Sequence, residues 1–304
     1  MTSQHPESPE VPHGRTVVCS PHFDDAVLNC WSILERDRSC AVVNVFTGAP
    51  GNGFTSWHDQ KKGMSSSTEQ VQRRALEDRE ALAVAGKTAI NLGMLEVTYR
   101  LRHHPVLHTG PLPALAAALR RMPRLRAAVL SLPFWRRALY ATPAPEAEQL
   151  ADTLAQAVPG ASSFWVPAGI GGHRDHLVVR QAGTVLASRG MKVRLYADLP
   201  YAVIHGWPQW IRSPDGERPK DRASALWEQH LQDLRAHLGE PIRQARVVRL
   251  TPAERLRKAE AVSRYASQIA TLHAEFARGG LDADGAFSHE VYWELPSAGG
   301  GTLH

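Results

Sequence analysis

Short apolar runs alternate with longer amphipathic stretches along most of the chain. The apolar runs are rich in β-branched residues and predict strands at 15–20, 40–47, 90–93, 163–167, 192–198 and 245–250. Stretches with helical spacing lie between them, at 26–35, 68–85, 143–158, 175–188, 223–238 and 252–277. Strands that alternate with helices favour a parallel sheet that is covered on both faces. The pattern therefore predicts an α/β fold with a mainly parallel sheet.

This arrangement is a Rossmann-like three-layer fold, in which ligands bind beyond the carboxyl ends of the strands. The rule places the residues just after Ser20, Thr47 and Pro167 around one crevice, the predicted active site. Thr68 is the candidate cap of the helix that starts beside it. We expect a flexible arm at 1–14, a single domain at 15–296 and a flexible tail at 297–304.

Two segments do not fit the alternation of strands and helices. The polar loop at 50–67 contains Trp57, His58 and Asp59, and loops of this length are often functional. These three residues are therefore candidates for a sugar-binding rim. The segment at about 100–142 is broken by prolines and is predicted to be an insertion in the domain.

The overall composition is that of an ordinary globular protein. Hydrophobic residues make up 43% of the chain and charged residues 21%, which argues against a disordered or a membrane protein. No apolar run approaches the roughly 18 residues of a spanning helix, and no signal-peptide pattern is present, so we expect a cytoplasmic protein. The three cysteines form no CxxC pair, which argues against a disulfide framework.

The insertion carries a concentrated positive charge, although the net charge of the chain is only +5. No Asp or Glu occurs between Val97 and Pro145, whereas eight arginines do: Arg100, Arg102, Arg120, Arg121, Arg124, Arg126, Arg136 and Arg137. Arginines bind phosphate and carboxylate groups well, so an anionic substrate is one interpretation. Peripheral contact with an anionic membrane and a solvated basic face are the alternatives. No nucleic-acid-binding motif accompanies the charge, and we expect no nucleic-acid partner.

The segment SPHFDD at 20–25 directly follows the first predicted strand. His22 and a carboxylate three positions later can converge on one zinc ion, which accepts both imidazole nitrogen and carboxylate oxygen. The adjacent second carboxylate would supply the base that a hydrolytic site needs. The alternative is that Asp24 or Asp25 only caps the following helix and His22 lies in a turn.

The segment GGHRDH at 171–176 follows another predicted strand. His173 and His176 flank Asp175 at a helix start, which offers a further ligand and a carboxylate to fix a histidine tautomer. Surface histidines in a loop are the alternative in a chain with 15 of them. No G-x-G-x-x-G follows the first strand, so a dinucleotide-binding oxidoreductase has no support.

With these two motifs the chain resembles the PIG-L (LmbE-like) family of zinc-dependent N-deacetylases, whose signatures are PHxDD near the N-terminus and HxDH later. SPHFDDAVLNC and GGHRDHLVVR match both signatures in the expected order. Weaker matches, RRALEDREAL, YADLPYA and RYASQIATL, extend the resemblance from about residue 15 to residue 272.

The resemblance implies a role for each matched residue. The implied zinc ligands are His22, Asp25 and His176, and the implied general base is Asp24. His173 would support the oxyanion or protonate the amine. Asp175 would orient a histidine. Arg74 corresponds to a family arginine that contacts substrate, and Arg73 is an equally close candidate. A pair between Arg74 and Glu77 on a solvated helix face is the alternative.

The implied function is a zinc-dependent hydrolase that removes an N-acetyl or similar N-acyl group from a small amino sugar or glycoside. An amidase for a larger acyl group or thiol conjugate stays open, as does a non-catalytic zinc- or glycan-binding protein, although the presence of Asp24 argues against the latter. The chain departs from the family at Phe23, Ala26 and Ala197. Gly171 stands where some members place a catalytic tyrosine, which leaves any tyrosine role open. The oligomeric state is also open.

Overall fold

The computed structural model describes residues 14–51, 53–61, 63–100, 145–204, 232, 245–280 and 282–295. Nearly all of the predicted arm, insertion and tail lie outside the described residues, as does the predicted helix at 223–238 except for one residue. Within the described residues, no helix has the length and apolar character needed to cross a membrane.

Seven strands form one mixed sheet in the described part of the chain. They are β1 (Arg15–Ser20), β2 (Ala41–Asn44), β3 (Ala89–Asn91), β4 (Ala161–Pro167), β5 (Lys192–Tyr196), β6 (Arg246–Arg249) and β7 (His289–Glu294). Their order is β3-β2-β1-β4-β5-β7-β6. The first five strands run parallel, and β7 is antiparallel to both β5 and β6. The prediction of an α/β fold with a mainly parallel sheet is confirmed, while β7 was not predicted.

Eleven helices accompany the sheet in the described residues. They are α1 (Asp25–Asn29), α2 (Trp31–Arg36), α3 (Trp57–Lys61), α4 (Ser67–Val84), α5 (Val97–Arg100), α6 (Ala147–Ala157), α7 (Arg174–Ser188), α8 (Tyr201–Ile204), α9 (Pro252–Ser263), α10 (Ile269–Arg278) and α11 (Ala283–Ala286). The inner strands β1 and β4 are buried over consecutive residues, so both of their faces are covered.

The helix predicted at 26–35 is two helices, α1 and α2, which meet at Cys30. The break is stabilised by the buried carboxylate of Glu290, which accepts hydrogen bonds from the backbone N–H groups of Trp31 (2.6 Å) and Ser32 (3.0 Å). The ammonium group of Lys258 lies 2.9 Å from the same carboxylate and is also buried. A buried carboxylate is tolerated only when it is paired and hydrogen-bonded. Glu290 therefore fixes the start of α2.

The helix predicted at 252–277 is also interrupted, between α9 and α10. Ser267 donates hydrogen bonds from its backbone N–H (2.9 Å) and its hydroxyl (2.6 Å) to the carboxylate of Glu77 on α4. This contact diverts the Ser267 N–H from an intrahelical carbonyl, which a hydrophobic pattern cannot indicate.

Ser66, not Thr68, caps α4. The Ser66 hydroxyl accepts the backbone N–H of Glu69 at 3.3 Å, whereas the Thr68 hydroxyl donates to the carbonyl of Gly51 at 2.9 Å. Both residue types favour capping positions, so the sequence alone did not separate them.

Candidate active site

A cavity of about 580 Å³ opens beyond the carboxyl ends of β1, β4 and β5. The segments that follow these strands supply His22 and Asp25, then His173 and His176, then Tyr201. The prediction that residues after Ser20 and Pro167 share one crevice is confirmed. The loop that follows Thr47 also reaches this crevice, since His58 and Asp59 line the cavity, whereas the Thr47 hydroxyl accepts the backbone N–H of Gly93.

The SPHFDD segment does not use its carboxylates as helix caps. The Asp24 side chain occupies the N-cap position of α1 but makes no capping hydrogen bond. The hydroxyl of Ser20 accepts the N–H of Ala26 (2.9 Å), and Asp25 Oδ2 accepts the backbone N–H of His22 (2.8 Å). Both carboxylates line the cavity, which is the arrangement that the chemical interpretation of the motif requires.

Three side chains of the two motifs converge on one point. Asp25 Oδ2 lies 3.3 Å from His22 Nδ1 and 3.4 Å from His176 Nε2. Atoms about 2.0–2.2 Å from a tetrahedral zinc ion are about 3.3–3.5 Å apart, so these separations match the edges of a zinc coordination shell. The donor set, two imidazoles and one carboxylate, is also a common catalytic zinc set.

A second grouping overlaps with the first. Ring nitrogens of His22, His173 and His176 all lie within 4.8 Å of one another, so these histidines could also hold a metal ion. His173 Nδ1 is buried without a hydrogen-bond partner among the described residues. The structure therefore brings together the three predicted ligands, His22, Asp25 and His176, and His173, which was predicted to support the oxyanion or to protonate the amine.

Each of the two histidines that contact Asp25 has a carboxylate on its other ring nitrogen. His22 Nε2 lies 3.2 Å from Asp175 Oδ2, and His176 Nδ1 lies 2.6 Å from Asp198 Oδ1. Such carboxylates orient metal-binding histidines and fix their tautomer. Asp198 was not among the predicted site residues. Its position directly after β5, in YADLPYA, was the available signal, since strand ends border the crevice.

The ionisable side chains at this centre shift one another's pKa values. Burial would lower the pKa of His22, but hydrogen bonds from its ring to the carboxylates of Asp175 and Asp25 outweigh burial and raise that pKa to about 10. Burial would raise the pKa of Asp25, yet His176 and His22 hold it at about 2. Burial lowers the pKa of His173 to about 3, helped by the positive charge of His22. A proton and a metal ion would therefore compete for the His22 ring, whereas the His173 ring stays neutral.

The two arginine candidates of α4 are separated by the structure. Arg74 lines the cavity, with Nη2 3.4 Å from Asp24 Oδ1 and Nη1 3.8 Å from Glu96 Oε2. Arg73 is half-exposed and pairs with Glu77 at 3.2 Å. The alternative of an Arg74–Glu77 surface pair was therefore wrong. The Glu77 carboxylate pairs with Arg73 instead, and it accepts hydrogen bonds from Ser267, which precedes α10.

Two of the three residues predicted to form a sugar-binding rim, in the 50–67 loop, lie at the cavity. His58 and Asp59 line it, and Asp59 Oδ2 accepts hydroxyl groups from Ser67 (2.5 Å) and Tyr99 (3.2 Å). Trp57 begins α3, and its side chain lies outside the described part of the structure.

Gly171 and Tyr201 share one space beside the histidines. Gly171 has φ +84°, and a Cβ at this position would lie 2.9 Å from the Tyr201 side chain. The ring of Tyr201 stacks on His173, with centroids 6.1 Å apart and an interplanar angle of 27°. The Tyr201 ring of the YADLPYA segment can therefore pack against His173 because residue 171 has no side chain.

A buried polar network lies behind the Phe23–Asp24 peptide. Asp78 Oδ2 accepts a hydrogen bond from Asn44 Nδ2 (2.7 Å), and Asp78 Oδ1 lies 2.8 Å from the hydroxyl of Tyr265. That hydroxyl also lies 3.0 Å from the Phe23 carbonyl. Burial raises the pKa of Asp78 to about 7. A protonated Asp78 can donate to Tyr265, which frees the Tyr265 hydroxyl to donate to Phe23.

Asp78→Asn is expected to change how stability depends on pH. The folded-state pKa of Asp78, about 7, exceeds its ordinary value of 3.8, so the stability it contributes is complete below about pH 4 and is lost as the pH rises through about 7. The unfolding free energy of the wild type, minus that of the variant, should fall by more than about 1 kcal/mol over this range. Urea unfolding at a series of pH values measures it. Asp152→Asn, at an exposed position, is the control. If the difference in unfolding free energy from the wild type were independent of pH for both variants, the network would be refuted.

Comparisons with known proteins find similarity to deacetylases. No protein-family model matches the chain. The 2'-N-acetylparomamine deacetylase of Niallia circulans is 27% identical over 235 residues, which span 68% of this chain and 77% of that protein.

Two solved structures have similar folds. A deacetylase of the teicoplanin biosynthesis pathway superposes with a TM-score of 0.59 at 21% identity, over 94% of this chain and 100% of the other. The A40926 pseudoaglycone deacetylase gives a TM-score of 0.55 at 22% identity, over 92% of this chain and 96% of the other. At these identities the similarity establishes the shared α/β fold.

Proposed function

We propose that the protein is a zinc-dependent N-deacetylase of the LmbE-like kind that acts on an N-acetylated amino sugar or glycoside. The observation that carries the proposal is the position of Asp25 Oδ2, within 3.4 Å of one nitrogen of His22 and one of His176. Asp24, beside this group, would be superfluous in a site that only binds metal. The strand order β3-β2-β1-β4-β5 supports the Rossmann-like description of the fold.

His22, Asp25 and His176 would hold the zinc ion, since their separations fit tetrahedral coordination and both histidines have supporting carboxylates. Zinc in such a site lowers the pKa of water to roughly 7 and polarises an amide carbonyl. His173 lines the cavity with a neutral ring beside the three proposed ligands, and we assign it to hydrogen bonding with the carbonyl oxygen of the substrate.

Asp24 is assigned as the general base. Its carboxylate lines the cavity and makes no capping bond that would restrain it within α1. It takes a proton from the water that attacks the amide carbon, and it returns that proton to the nitrogen as the C–N bond breaks. The products are acetate and a free amine. Arg74 holds Asp24 Oδ1 at 3.4 Å, so we assign Arg74 to the orientation of the base as well as to the substrate wall.

The sugar would lie in the cavity between α10 and the 50–67 loop. Gln268, at the N-cap of α10, and Thr271 and Glu275, within α10, line the cavity, as does His58 of the loop. Polar groups of this kind bind sugar hydroxyls. A substrate related to an acetylated aminoglycoside is supported by the paromamine-directed relative, and a glycopeptide-type glycoside by the fold neighbours.

The anionic substrate and the peripheral membrane contact remain predictions, because the arginines on which they rest lie outside the described residues, apart from Arg100. The guanidinium of Arg100 is bound to Asp175 at 2.7 Å and is not available to a ligand. The single-domain organisation and the cytoplasmic location also remain predictions.

Acetate release from a panel of N-acetylated substrates tests the function. The panel contains acetylated aminoglycosides, glycopeptide glycosides and phosphate-linked amino sugars, each also prepared with a longer N-acyl chain. We expect acetate release from at least one amino sugar by the zinc-loaded protein and none after chelation. Release only of the longer acyl groups would favour the alternative amidase, and zinc binding without any hydrolysis would favour a binding protein.

A further inference from the structure

Asp175 has no solvent exposure and accepts hydrogen bonds on both of its oxygens. Oδ2 accepts the backbone N–H of Val97 at 2.9 Å and lies 3.2 Å from His22 Nε2. Oδ1 accepts a hydrogen bond from Arg100 Nη2 at 2.7 Å. Both groups that hold Asp175 from the far side belong to the short helix α5, which neither sequence motif contains.

We propose that Arg100 is a positioning residue for the metal centre: through Asp175 it fixes the orientation of His22. This inference rests on the proposed zinc-dependent function. It assigns to the first arginine of the basic segment a task inside the protein, distinct from the anion binding that the sequence pattern indicated.

The guanidinium group of Arg100 is itself held on three sides. Nη2 bonds to Asp175, Nη1 donates to the carbonyl of Leu95 at 2.5 Å, and the guanidinium carbon lies 5.1 Å from the centre of the Phe46 ring. Phe46 in turn lies against His22, with ring centroids 6.3 Å apart. A planar guanidinium group with several contacts has little freedom to move, so Arg100 imposes one orientation on the Asp175 carboxylate.

The two carboxylates that support the histidines, Asp175 and Asp198, differ in whether an arginine pairs with them. Asp198 accepts a backbone N–H from Ile170 at 2.9 Å, and in the described part of the chain its one ion pair is with His176. Among the described residues, Arg100 is the one arginine or lysine that pairs with Asp25, Asp175 or Asp198. Loss of Arg100 would leave Oδ1 of a fully buried carboxylate without its partner, which is costly and allows the carboxylate to turn away from His22.

Zinc affinity measured by competition with a chelator tests the inference. Supporting partners of metal ligands are worth about 10–100-fold in metal affinity, so Arg100→Leu should weaken zinc binding by roughly that factor. Arg100→Lys keeps the charge but not the fork geometry, and we expect it to weaken binding by a smaller factor, still at least about threefold.

Arg194→Leu is the matched control. Arg194 also stacks on an aromatic ring (5.2 Å from the centre of Trp165) and pairs with a carboxylate (3.0 Å from Glu294), but it lies outside the cavity. Its zinc affinity should equal that of the wild type. In the ring-proton NMR spectrum of the zinc-loaded protein, the His22 Nε2–H resonance should shift in Arg100→Leu and stay in place in Arg194→Leu.

The outcomes separate the two proposals. Absence of zinc binding by the wild type would overturn the proposed function together with this inference. Tight binding by the wild type and an unchanged affinity in Arg100→Leu would overturn the role of Arg100 alone, as would equal losses in Arg100→Leu and Arg194→Leu. If Arg100→Leu fails to fold, an unchanged affinity and an unshifted His22 resonance in Arg100→Lys would refute the inference.

Discussion

Asp24→Asn is expected to reduce deacetylation by about 10²–10⁴-fold while zinc stays bound. Asparagine has the size of aspartate and can keep a contact with Arg74, but it cannot take a proton from water. The Asp24 carboxylate is 15% exposed and is no part of the proposed ligand set, so the metal site should survive the change. Turnover of the best substrate of the panel and zinc content per chain are measured on the same preparation.

Asp152→Asn is the control for this change. Asp152 is 55% exposed, pairs with Arg189 on the surface and does not line the cavity, so its substitution should leave turnover and zinc content unaltered. Full activity of the Asp24 variant would show that another group acts as the base. Loss of zinc from the variant would mean that Asp24, and not only Asp25, holds the metal.

His176→Ala is expected to abolish retention of zinc and, with it, turnover. His176 is buried, and its Nε2 lies 3.4 Å from Asp25 Oδ2, so its removal takes away one of three proposed ligands and the ring that pairs with Asp198 Oδ1. The loss of affinity should exceed the roughly 100-fold that removal of a supporting hydrogen bond costs. Zinc content after dialysis and chelator competition measure it.

His273→Ala is the matched control, because His273 is exposed on α10. It should retain one zinc per chain. A second comparison separates the two possible metal groups: if His22, His173 and His176 were the ligands, His173→Ala would lose zinc as completely as His176→Ala. With Asp25 as the third ligand, His173→Ala should keep its zinc and lose activity.

Much of the fold could be predicted from the sequence, because the strands of the parallel sheet are buried on both faces and form continuous apolar runs. β1 and β4 were located almost to the residue for this reason. β7 was missed, although Val291, Tyr292 and Trp293 form a β-prone run, because the prediction of a long preceding helix left the end of the chain unassigned. The interruptions of the predicted helices could not be found, since Glu290 and Glu77 act on them from distant positions in the chain.

The sequence indicated the three proposed ligands of the candidate site, but it indicated fewer of the residues that contact them. His22, Asp25 and His176 lie in short motifs whose spacing carries chemical information. Asp198 and Arg100 follow no such spacing: Asp198 contacts His176, and Arg100 contacts Asp175, only because β5 and α5 end beside the cavity. Which of Arg73 and Arg74 faces Asp24 depends on the rotation of α4, and an 18-residue helix with polar residues on most sides gives no clear phase.

The contact between Glu290 and the start of α2 has a consequence for synthesis on the ribosome. Trp31 and Ser32 emerge more than 250 residues before the carboxylate that binds their N–H groups. Until β7 has been made, these groups and the ammonium of Lys258 lack their buried partner. The start of α2 can therefore reach its final packing only after β7 has been synthesised, and a chain cut short before Glu290 should be a target for chaperones and proteases.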